Sequence, residues 1–111
     1  MLESPARTFY RIIQSDQATE ADFLPYGSRG GPIPTDPQLR RMWSGISVYD
    51  TLDRARSQAL KRPGLGAYIA ELEVQWGRSV RAERTGHRRG YHTLWGEPSV
   101  LLACVRRIVP V

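Results

Sequence analysis

The chain has 111 residues, a formal net charge of +5 and 41% hydrophobic residues. That is the size of one domain with one modest core, leaving no room for a separate cofactor domain. The single cysteine, Cys104, excludes an internal disulfide and a cysteine metal cluster, and no apolar run reaches the roughly 18–20 residues that span a bilayer.

The opening segment "RTFYRIIQ" (7–14) is aromatic and β-branched and predicts a strand, with Phe9 and Arg11 on one face and Tyr10 and Ile12 on the other. "ATEADFLP" predicts a short helix capped by Thr19, with Asp22 three residues on and Pro25 ending it. Residues 26–38, "YGSRGGPIPTDPQ", read as a loop. Asp36 followed by Pro37 then starts a helix that places Leu39, Met42 and Trp43 on one apolar side. "SGISVYD" is a short strand, and "TLDRARSQALKR" is a helix capped by Thr51 or Asp50. Its stripe of Leu52, Ala55, Ala59 and Leu60 is suited to close packing on a sheet. "RPGLG" breaks that helix.

"AYIAELEVQW" (67–76) alternates cleanly, with Tyr68, Ala70, Leu72 and Val74 inward and Ile69, Glu71, Glu73 and Gln75 on a solvated face. "SVRAERT" predicts a further strand. "GHRRGYHTLWGEPS" reads as a glycine-rich loop, "EPSVLLA" as a helix with Pro98 in its first turn, and "CVRRIVPV" as a closing strand with Cys104 buried. Strands at both ends with helices between them give an α+β domain covering 1–111, built on a small antiparallel or mixed sheet with two to four short helices. The N-terminus lacks the pattern of a signal peptide, so a cytoplasmic location is expected, with no membrane partner.

Charge is unevenly placed. Residues 1–53 carry five basic and seven acidic residues, a net of −2, whereas 54–111 carry eleven and four, a net of +7. A basic half favours an anionic partner, a nucleotide or a nucleic acid. Patterns for a P-loop, a dinucleotide fingerprint, a zinc protease and a nucleophile elbow are all missing. His87 and His92 stand without a third ligand, so no metal is expected.

The order of "FYRI" on a first strand and "GISVYDT" running into an alanine-rich helix resembles the ADP-ribosyltransferase superfamily, including RES-type NAD-degrading toxins. The resemblance implies a split β-sandwich, NAD as substrate and a toxin-like activity, either NAD hydrolysis or ADP-ribosyl transfer. It implies that Arg11 engages NAD phosphates or ribose, that Ser47, Tyr49 and Thr51 shape a nicotinamide pocket, and that Glu97 in "LWGEPSVLL" is the late acid. Glu71 and Glu73 have the spacing of an ExE pair but come earlier in the chain. The residue types suit the chemistry. Guanidinium forks grip phosphate, and a carboxylate stabilises the positive charge that develops as a glycosidic bond breaks.

A rival site is "WGRSVRAERTGHRRGYHTLW". Arg78, Arg81, Arg84, Arg88 and Arg89, with Tyr91 and flanking tryptophans, have the composition of a non-enzymatic nucleic-acid-binding module, phosphates on arginine and unpaired bases on aromatic faces. A third expectation is a protein partner, as in a toxin–antitoxin or phage system.

Overall fold

The computed structural model describes residues 6–75 and 80–111, except for the side chain of Arg29. Among the described residues, six strands and three helices make up an α+β fold. The strands are β1 (Ala6–Ile13), β2 (Ile46–Tyr49), β3 (Tyr68–Gln75), β4 (Arg81–Arg84), β5 (Tyr91–Trp95) and β6 (Val105–Pro110). The helices are α1 (Pro37–Trp43), α2 (Leu52–Lys61) and α3 (Pro98–Ala103). All pairings are antiparallel, and the strand order is β4-β5-β2-β1-β3-β6.

The helix starts follow local chemistry. Asp36 accepts from the Gln38 and Leu39 amides at the start of α1, and the Thr51 hydroxyl accepts from the Arg54 amide, 3.1 Å away, at the start of α2. The Asp22 carboxylate reaches back to the Thr19 amide at 2.8 Å and fixes a 3-10 turn, Glu20–Phe23. A second 3-10 turn, Tyr26–Arg29, occupies part of the expected loop.

Each face of the sheet has its own core. On one, Phe9, Ile46, Val48, Leu72, Val74 and Leu94 pack beneath Phe23 and Leu101 of α3. On the other, Tyr49 and Ile69 pack with Ala55 of α2, flanked by Tyr10, Ile12 and Tyr91. The expected solvated face of β3 is therefore wrong in its first half: α2 covers Ile69, which is fully buried.

Three other expectations need correction. "YHTLW" is strand β5, not loop; Gly90 closes the β4–β5 turn with a φ of 76°, a left-handed value that favours glycine. Leu60 is 66% exposed, because Ala55 and Ala59 already face the sheet and Leu60 lies roughly 100° round the helix from Ala59. α1 buries none of its residues, and Leu39 stands 54% exposed.

The join at the middle of the sheet matters most for function. β1 pairs with β3 at eight positions but meets β2 at the single pair Tyr10–Tyr49. The sheet thus consists of two three-stranded halves that part beyond that pair.

Candidate functional site

Arg11 bridges the opening between the halves. Its Nη1 donates to the Ser47 carbonyl at 2.9 Å and to the Ser47 hydroxyl at 3.2 Å, and its Nε donates to the Asp22 carbonyl at 3.1 Å. The guanidinium thereby ties β1 to β2 and to the 3-10 turn. Ser47 Oγ also shares a hydrogen bond with the Tyr26 hydroxyl at 3.1 Å.

Beside this contact is a cavity of about 120 Å³, walled by Arg11, Gln14, Tyr26, Ser47, Tyr49 and Leu65. Whole-ligand pockets run to about 300–1,000 Å³, whereas a protein cavity of about 150 Å³ holds a benzene ring. The Arg11 cavity is therefore sized for one ring. Next to Leu65 of the cavity wall, Gly66 has φ at 152°, and an added Cβ would lie 2.1 Å from the Ile13 carbonyl oxygen, so the turn after α2 can close against β1 only with glycine.

Register brings in Tyr91. Antiparallel pairing of β2 with β5 sets Tyr49 opposite Tyr91 and Ser47 opposite Thr93, and the two tyrosine rings meet edge to face at 5.6 Å. Burial raises the hydroxyl pKa of both tyrosines. The nearby Arg88 guanidinium opposes the rise at Tyr49, and the nearby Ser47 hydroxyl opposes it at Tyr91. Both phenols are accordingly neutral near pH 7 and offer an O–H to a ligand.

The expected site residues divide into those that converge and those that do not. Arg11, Ser47 and Tyr49 come together on the cavity wall. Thr51 is exposed and serves as the cap of α2. Glu97 precedes α3 as its exposed N-cap residue and is not among the residues lining the cavity. Glu71 accepts from the Tyr10 hydroxyl and pairs with Arg107 at 3.3 Å, while Glu73 pairs with Arg106 at 3.0 Å. Among the described residues no carboxylate lines the cavity.

The arginines of the rival segment divide: Arg84, Arg88 and Arg89 line adjoining concavities, one of which Tyr91 also lines, whereas Arg81 stands apart. Arg78 lies outside the described residues. Arg81 sits over the Trp95 ring at 5.9 Å, and the Trp95 indole N–H is held by the Arg41 carbonyl and Ser44 hydroxyl. Arg88 reaches Tyr49, so one member of the rival set adjoins the first site. Sequence reasoning missed Tyr26, Gln14 and Leu65, which come from a turn, a strand end and a helix break with no motif of their own. His92 is buried, with its Nδ1 3.0 Å from the Gly90 carbonyl and its ring against Phe9. Since a carbonyl only accepts, Nδ1 carries the proton in this bond. Among the described residues no cluster of three or more His, Cys, Asp or Glu is placed to hold a metal ion, and no helix is long and apolar enough to cross a membrane.

No family model, curated protein or solved structure matches this chain.

Proposed function

We propose that this chain is a small ADP-ribosyltransferase-like domain that binds NAD or a related nucleotide at the split between β1 and β2. One observation carries the reading. Arg11 and Ser47, 36 residues apart in sequence, meet with Tyr49 on the wall of a ring-sized cavity where the sheet divides. Hydroxyls of Ser47, Tyr26 and Tyr49 suit the amide of a nicotinamide-type ring, and the Arg11 charge suits an anionic group joined to it. The cavity takes the ring alone. The remainder of a nucleotide extends past Tyr49 toward Arg88.

Binding is the part of the reading that this geometry supports. Cleavage of the glycosidic bond needs, in addition, a carboxylate against the developing positive charge, and none of the described residues lining the cavity supplies one. The test is a thermal-shift series with NAD, ADP-ribose and nicotinamide, run beside an assay for free nicotinamide. NAD and nicotinamide both raise the melting temperature if the cavity is the ring site, and nicotinamide release stays at background. A melting temperature indifferent to all three ligands contradicts the proposal.

A further inference from the structure

Beyond the ring cavity, a second concavity of about 490 Å³ is lined, among the described residues, by four arginines, Arg7, Arg54, Arg84 and Arg89, and one carboxylate, Asp50. Asp50 is already engaged, since its two oxygens accept from Arg54 Nη1 at 2.8 and 3.0 Å. The Asp50 charge is thereby matched to Arg54 and not to Arg84 or Arg89. Arg84 and Arg89 meet no carboxylate among the described residues.

The basin is built rather than formed by chance side-chain placement. Gly90 passes directly beneath it, where an added Cβ would lie 2.3 Å from Asp50 Oδ1 and 2.5 Å from Arg54 Cδ. A neighbouring depression of about 240 Å³ shares Arg54 and Arg89, adds Arg88 and reaches Tyr49. A further one of about 250 Å³ joins Arg88 to Tyr91 and His87. Together they form a concave basic band from the start of β1, across the start of α2, to the β4–β5 turn.

We propose that this band binds single-stranded nucleic acid through its phosphodiester backbone. The band offers three guanidiniums that meet no carboxylate among the described residues, Arg84, Arg88 and Arg89, more than the two phosphates of a dinucleotide can engage. Their planar forks match phosphate oxygens in pairs. A narrow flexible strand can enter a concave path whose floor includes the half-buried Arg54, whereas a flat anionic membrane would meet only its rim. Half-buried Tyr91 and exposed His87 flank Arg88 and give an unpaired base a face on which to stack. This inference rests on the arginine band and not on the ring-cavity reading, so each stands or falls alone.

The experiment is fluorescence anisotropy of the full chain with a labelled oligothymidylate of about 12 nucleotides. Affinity on single strands falls with salt at a log–log slope of about −0.7 per phosphate neutralised, so three contacts give about −2.1. Between about 50 and 200 mM salt the affinity then drops about 20-fold. In the double variant R84Q/R89Q one contact remains, and the drop over the same range shrinks to about threefold. Both side chains are exposed, and a cooperative thermal melt like that of the wild type would report an intact fold in the variant. A wild-type affinity indifferent to salt overturns the proposal, and that result needs no variant. So does a variant with the full wild-type slope, or polyglutamate of equal length competing as well as the oligonucleotide.

Discussion

Replacing Arg11 with methionine keeps an unbranched apolar stem of similar length but removes every donor of the guanidinium. Three contacts disappear, to the Ser47 carbonyl, the Ser47 hydroxyl and the Asp22 carbonyl. Hydrogen bonds involving a charged group contribute about 1.5–3 kcal/mol each, and a buried acceptor left without its donor bears the desolvation cost. The cavity beside Arg11 admits water to part of this network, which lowers the total to about 3 kcal/mol. For a chain of this length about 1 kcal/mol corresponds to roughly 4 °C, so the melting temperature of Arg11→Met should fall by roughly 12 °C. Urea denaturation should show a lower midpoint with an unchanged slope, since the same surface is exposed on unfolding. Arg11→Lys should fall between the two, because an ammonium replaces the charge but not the fork that spans both carbonyls. A melting temperature for Arg11→Met within about 3 °C of wild type would refute the role of Arg11 as the tie between the halves of the sheet.

Gly66→Ala should lose more than about 3 kcal/mol or fail to give a cooperative melt, because the new Cβ collides with the Ile13 carbonyl at a φ open mainly to glycine. Gly64→Ala, two residues earlier, has nothing within 4 Å of an added Cβ and should stay within about 1 kcal/mol of wild type in the same calorimetric assay. Thr51→Ala should cost about 1 kcal/mol through loss of the α2 cap, measured by urea denaturation, with no change in NAD binding. Burial raises the pKa of Tyr10, Tyr49 and Tyr91 in the folded state. The stability this represents is fully present below the unfolded value of about 10 and is lost as pH rises through the higher folded values. Melting temperatures should therefore decline above pH about 10, in step with tyrosinate absorbance.

Where strand and helix signals were strong, the sequence showed the fold clearly. Alternation in 68–75, capping chemistry at Thr19, Asp36 and Thr51, and the break at Pro63 all correspond to observed elements. β5 was obscured by the glycines at 90 and 96, which make five strand residues look like the middle of a loop. Helical spacing alone could not say that the stripe of α2 ends at Ala59, because that depends on where the sheet ends. Arg11, Ser47 and Tyr49 were recognisable as residue types, and the antiparallel sheet puts them together. Tyr91 was grouped with arginines through its linear neighbours, yet the β2–β5 register sets it beside Ser47 and Tyr49. Strand order is a long-range property, and nothing within a local window of sequence encodes it. The position of Glu97 away from the cavity wall has the same origin: a residue after β5 can line the split only if the chain turns back toward it, and α3 instead carries Leu101 to the other core.

The most direct test of the ring-cavity account is an amide chemical-shift titration of the intact chain with NAD. The account expects the largest and saturable shifts at Arg11, Ser47, Tyr49 and Leu65, lost in a variant with Ser47 replaced by a residue that fills the cavity. Saturable shifts confined to the turn at 84–89, or no shifts at any NAD concentration, would contradict it.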